Sequence, residues 1–119
     1  MTRFIVTRFR LHEHDSLADY RTWSLSYLRP VLRSYPSVVS FSDLSWVGRE
    51  PESGEVWHGC EIIEVTDFEQ FAHDDSTGEG ARLSAAWRER VAAWSIDRLE
   101  DLEHLGTEPI LAEHGEALR

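Results

Sequence analysis

The chain has 119 residues, room for one hydrophobic core but not two. Hydrophobic residues make up 41% and charged residues 29%, with five Trp, five Phe and three Tyr, so apolar burial can offset the ordering entropy that leaves polar chains disordered. The formal net charge of -10 repels nucleic acid and anionic membrane surfaces, and Cys60, the single cysteine, excludes an intrachain disulfide, a CxxC pair and an iron–sulfur site.

The stretch RFIVTRFRL alternates as a strand, with Ile5, Thr7, Phe9 and Leu11 on one face and Phe4, Val6, Arg8 and Arg10 on the other; the first face is expected to be buried. From Asp15 to Tyr35, apolar positions at Leu17, Tyr20, Tyr27, Leu28, Val31 and Tyr35 predict an amphipathic helix, N-capped by Asp15 or Ser16. Pro30 removes a backbone donor, which predicts a kink or restart near Leu28, and Pro36 ends the helix. Residues Ser37 to Gly48 read as a strand, REPESGE as a turn and Glu55 to Val65 as the returning strand of a hairpin.

Thr66 and Glu69 form a capping-box pattern that opens a short helix through Phe68 and Phe71, and His73 to Gly80 then reads as an exposed, mobile loop gating a pocket. Leu83, Ala86, Trp87, Arg90, Val91 and Trp94 mark the second main helix, and Ser95 to Gly106 the last strand. The order βαββαβ predicts an α+β, ferredoxin-like domain over residues 1–106, with two helices covering one face of a four-stranded antiparallel sheet, and a short C-terminal tail over 107–119. Phe4, Val6, Trp57, Ile63 and Val65 are expected on the uncovered face, which predicts a homodimer packed sheet against sheet.

All twelve basic residues are Arg, and neither Lys nor Asn occurs, a bias that fits a GC-rich bacterial genome. Without Lys there is no Schiff base, no covalent pyridoxal phosphate and no phosphate-loop lysine. No apolar run reaches the roughly 20 residues needed to cross a bilayer, so a cytoplasmic protein without nucleic-acid or membrane partners is expected.

His58 falls on a strand face with Cys60 and Ile62, where a neutral imidazole serves as general base or as an ordinary structural histidine. Asp43 is in period with Val39, Phe41 and Val47, an acid on an apolar face and a candidate proton shuttle unless a register slip exposes it. His12 and His14 share a strand face without a third ligand, so no metal is expected. Cys60 reads as a small core residue. Trp23, Trp46, Trp87 and Trp94 are core residues or a stacking surface for a flat aromatic ligand.

RFIVTRFR, YLRPVLRSYPSVVSF and GEVWHGCEIIEVTDFEQFAH together resemble the dimeric α+β barrel superfamily over nearly the whole chain, including stress-responsive barrels, olivetolic acid cyclase-like proteins, ethyl-tert-butyl-ether-degradation proteins and antibiotic-biosynthesis monooxygenases. The resemblance implies a pocket between sheet and helices, with His58 where cyclase-like members place a pocket histidine. It also places Arg3 where another pocket histidine occurs in such members, and Tyr27 where relatives carry a histidine three residues before the helical proline. Gln70 and Ser76 stand where the cyclase has its catalytic Tyr and His, a departure from that chemistry. In this fold strands one and three are expected side by side and parallel, which makes Arg3 and His58, each opening its strand on the same face, neighbours; Arg3 then holds an anionic oxygen, or else snorkels at the sheet edge with its head in water.

The function expected from these readings is a cofactor-independent cyclase or monooxygenase of polyketide-like or aromatic secondary metabolism. Its substrate is a small apolar or aromatic molecule, His58, Arg3, Asp43 and Tyr27 are catalytic, and Trp23, Trp46, Phe71, His73 and Trp87 bind substrate. The alternatives are a non-catalytic ligand-binding or stress-responsive barrel and a haem-binding barrel using His58, His73 or His104.

Overall fold

The structure, a computed structural model, describes residues 2–102. The tail proposed for 107–119, the end of the strand predicted to Gly106, and His104 all lie outside the described residues.

Strand β1 (Arg3–Leu11) buries Ile5, Thr7, Phe9 and Leu11, as its alternation requires. Ser16 caps α1 (Leu17–Trp23) by accepting from the Asp19 amide at 3.1 Å. The predicted kink is a π-helical turn over Ser24–Leu28, in which the Arg29 amide donates to the Ser24 carbonyl, before α2 (Arg29–Arg33) resumes. Pro30 has no amide to donate and its ring crowds the preceding turn, and the wider turn accommodates both. Tyr20, Ser24, Leu28, Val31, Leu32 and Tyr35 follow one another along the buried side of this bent arm.

Strands β2 (Val38–Ser45) and β3 (Gly59–Val65), helices α3 (Phe68–Ser76) and α4 (Gly78–Arg90), and strand β4 (Val91–Glu100) complete the chain. The sheet order is β2-β3-β1-β4 and every neighbouring pair is antiparallel, which gives the expected α+β ferredoxin-like fold. The core fills the space between the sheet and the helices.

Several local expectations are corrected. Strands β1 and β3 are antiparallel, so Arg3 pairs with Val65 while Phe9 pairs with Gly59; Arg3 and His58 stand at opposite ends of the sheet. The third strand begins at Gly59, not Glu55, and Ile63 and Val65 turn inward to the helices. The open face instead carries Phe4, Val6 and Ile62, with Val6 and Ile62 directly opposite each other, and the exposed Leu44 and Leu99 beside them.

The segment from His73 to Gly80 is no gating loop. Asp67, rather than Thr66, caps α3 through the Glu69 amide at 3.1 Å, and the helix runs on to Ser76. Only Thr77 separates it from α4, and Gly80 is buried. Helix α4 stops at Arg90, and Val91 and Trp94, expected on it, belong to β4. The spacing of Trp87, Val91 and Trp94 suits a helix, but Trp94, Ile96 and Arg98 also alternate, and pairing with β1 selects the strand.

Candidate functional site

One row across the middle of the sheet is polar where its neighbours are apolar. Asp43 of β2, Glu61 of β3 and Thr7 of β1 pair in register and point at the helices. The alternation of GCEIIEV puts Glu61 on the same inward side as Gly59, Ile63 and Val65, and only 4% of its surface is exposed.

The helices supply its partners. The Tyr20 hydroxyl donates to Glu61 Oε2 at 2.5 Å, and Trp87 Nε1 donates to the Tyr20 oxygen at 2.9 Å. Ser24, from the π turn, donates to Asp43 Oδ2, and the Arg29 guanidinium lies 3.6 Å from the same oxygen. Asp43 Oδ1 is buried with no other donor in reach. Burial first, and then the hydrogen bond and charge of Asp43, push the Glu61 carboxyl well above its ordinary range. The shift favours the neutral form of Glu61, an acid held beside the Asp43 carboxyl. Burial and the neighbouring Glu61 raise the Tyr20 phenol, which keeps it a neutral donor.

The pair lies between two clefts. An inner cavity of about 220 Å³ reaches Glu61 and Thr7 on the sheet, Phe71 on α3, Trp87 on α4 and Trp94 on β4. An outer cleft of about 340 Å³ reaches Asp43, Arg29, Tyr20 and Ser45. Ligand pockets commonly hold about 300–1,000 Å³, so the inner cavity suits a small, flat molecule. Within it, Glu61 is placed to exchange protons with a ligand, with Asp43 and Arg29 behind it.

Of the sequence-predicted residues, Asp43, Phe71 and Trp87 come together here. His58 does not reach either cleft: its Nδ1 accepts from the Leu11 amide at 2.8 Å, where β1 slips register against β4. An imidazole accepting at Nδ1 carries its proton on Nε2 and has no free lone pair for a base. His58→Ala is therefore expected to cost about 1–3 kcal/mol in a denaturant titration, the price of leaving that amide unpaired, with turnover per folded molecule unchanged. A specific kinetic defect in a fully stable variant would reverse this assignment.

Arg3 donates to the Thr66 carbonyl at 3.0 Å and pairs with Glu100 at 3.5 Å, at the far end of the sheet. Tyr27 packs half-buried on the core with its ring 5.9 Å from Trp23, and Trp23 lies under the Arg90 guanidinium at 5.1 Å. The Trp46 amide donates to the His58 carbonyl at 3.0 Å, and His73 is exposed on α3. His12 and His14 stack at 5.8 Å, and among the described residues no cluster has the makings of a metal site. Cys60, half-buried on the open face, has its thiol raised by burial. No helix among the described residues is long and apolar enough to cross a membrane.

Sequence reasoning passed over Glu61. The signal was present, an acid two residues from Ile63 on an alternating strand, but assigning Ile63 and Val65 to the open face carried Glu61 out with them.

Comparison with known proteins follows the same outline. The family model described as REDY-like protein HapK matches residues 3–99. The crystal structure of HapK from Hahella chejuensis is 22% identical with a TM-score of 0.66, over 89% of this chain and 95% of that one. SnoaB of Streptomyces nogalater, a cofactor-independent oxygenase, is 16% identical with a TM-score of 0.62, over 84% and 92%. A dimeric ferredoxin-like protein from Thermobifida fusca YX is 9% identical with a TM-score of 0.63, over 85% and 92%. No curated protein matches the sequence.

Proposed function

We propose that this chain, which belongs to the REDY-like HapK family, is a cofactor-independent enzyme of small-molecule metabolism that transfers protons to and from a flat phenol- or enol-like substrate. The observation that carries the reading is the buried Glu61 carboxyl, held by Tyr20 and set opposite Asp43, which opens on the apolar inner cavity. A carboxyl whose affinity for its proton is raised by burial is suited to acid–base work. Tyr20 and Trp87 orient it, and Trp87, Trp94 and Phe71 shape the stacking walls. Deprotonating such a substrate prepares it for ring closure or for attack on dioxygen, and the SnoaB likeness supports the second.

The test uses 1,3-dihydroxynaphthalene, whose ring hydrogens exchange with solvent deuterium through its keto tautomer. The wild-type chain is expected to accelerate that exchange by proton NMR, and Glu61→Gln to lose the acceleration. Tight binding of the naphthalenediol with no acceleration would favour a binding protein instead.

The reading includes a homodimer through the open sheet face. Phe4, Val6, Ile62 and Leu44 form an apolar surface on an otherwise acidic chain, and the Thermobifida fusca neighbour is dimeric. Light scattering at micromolar concentration is expected to give twice the chain mass, and Val6→Glu with Ile62→Glu to give a folded monomer. A monomeric wild type would refute this interface.

A further inference from the structure

The inner cavity has a second carboxyl on its opposite wall. Asp75 of α3 lines it together with Glu61 of β3, although neither strand nor helix pattern links the two. The Tyr35 hydroxyl donates to Asp75 Oδ1 at 2.8 Å, so each carboxyl of the cavity is held by its own tyrosine, Glu61 by Tyr20 and Asp75 by Tyr35.

The surroundings of Asp75 are built tightly. Its neighbour Asp74 is turned away, accepting from the Ser37 amide at 3.1 Å, the Ser37 hydroxyl at 2.6 Å and Gln70 at 2.7 Å. A β-carbon on Gly80 would collide with the Asp74 carbonyl and lie 2.9 Å from the Tyr35 hydroxyl, so the absence of a side chain there lets α4 close over the pair. The titratable and charged groups facing Asp75 are Arg88 of α4, which favours its carboxylate, Arg98 of β4 on the cavity wall, and the Glu61 carboxyl across it.

We infer that Asp75 is a second proton-transfer residue, working across the inner cavity from Glu61, so that the substrate is a small phenol or enol that gains one proton where it loses another. The inference rests on the reading of Glu61 given above. Glu61 takes the substrate hydroxyl proton as it passes its own to Asp43 beside it, while Asp75 delivers its proton to a ring carbon. The O–H bond breaks, a C–H bond forms, the oxygen electrons become the carbonyl π bond, and the return step restores both carboxyls. No oxidant or reductant enters. Burial raises Asp75 above the ordinary range, with Tyr35 and Arg88 opposing, which favours its protonated form.

The experiment follows deuterium exchange into 1,3-dihydroxynaphthalene across pH with the full-length chain. The rate is expected to fall at low pH, when no carboxylate is left to accept the substrate proton, and at high pH, when Asp75 loses its own. Asp75→Asn is expected to slow exchange about 10²-fold and remove the alkaline limb, and Asp75→Glu to restore both in part. Tyr35→Phe keeps the carboxyl but removes the bond that stabilises its anion, so its alkaline limb is expected to move to higher pH. Asp75→Asn with the wild-type rate and both limbs, or an unmoved limb in Tyr35→Phe, overturns the inference while leaving Glu61 in place. A Glu61→Gln variant as fast as wild type overturns both readings together.

Discussion

Glu61→Gln is expected to cost about 10²- to 10⁴-fold in proton exchange on a bound phenol while making the folded protein more stable at neutral and alkaline pH. The two effects have one origin. A carboxamide has nearly the shape of the protonated carboxyl, so it can still accept from Tyr20 and donate to Asp43, but it has no proton to transfer. In the native protein Glu61 holds its proton, whereas in the unfolded chain it loses it near its ordinary value of 4.5. The unfolded state then binds fewer protons, so stability falls as pH rises from that value through the raised native one, by up to about 1.4 kcal/mol per pH unit for a single group. Glutamine has no such loss. Melting curves from pH 4 to 9 are expected to superpose near pH 4 and separate above it, with the variant higher. Parallel curves with unchanged turnover would place Glu61 outside the chemistry.

Gly80→Ala is the substitution expected to disturb the fold most for its size. In an exposed helix the change adds up to about 1 kcal/mol of helix propensity. Here the new methyl group meets the Asp74 carbonyl, a backbone atom of α3 that cannot rotate away, and the Tyr35 hydroxyl at 2.9 Å. Overpacking of this kind costs about 1–3 kcal/mol, and the clash outweighs the gain. In a domain of this size each kcal/mol lowers the melting temperature by roughly 4–8 °C. Because α4 must lift off α3, the Tyr35–Asp75 bond is expected to loosen as well, and exchange of the naphthalenediol to slow beyond the loss of folded protein. A variant as stable as wild type would show that α3 and α4 are not locked at this corner.

The strand of RFIVTRFRL, the kink before Pro30 and the order βαββαβ were legible because each depends on contacts only a few residues apart along the chain. A period of two, a missing amide and a polar turn are local facts, and the structure repeats them at Arg3–Leu11, at Ser24–Leu28 and in the sheet order. The family resemblance rests on the same local evidence. Asp43 was found because an acid breaks an apolar period, a signal that needs no partner to be seen.

What the sequence by itself determined is therefore the fold, one buried face of β1 and an acid on β2; which face of β3 turns inward, and so where Glu61 lies, was decided by tertiary structure. An alternating strand such as GCEIIEV offers two faces of similar polarity, and only pairing with Val38, Phe41 and Asp43 on one side and Ile5 and Thr7 on the other selects between them. The same holds for His58, whose ring is claimed by an amide of Leu11, 47 residues away. It holds for Tyr35 and Asp75, joined across 40 residues by the closeness of two helices at Gly80. Local periodicity sets what each segment can be, whereas a site made of Tyr20, Asp43 and Glu61 exists only once the free energy of burial has brought three distant segments together.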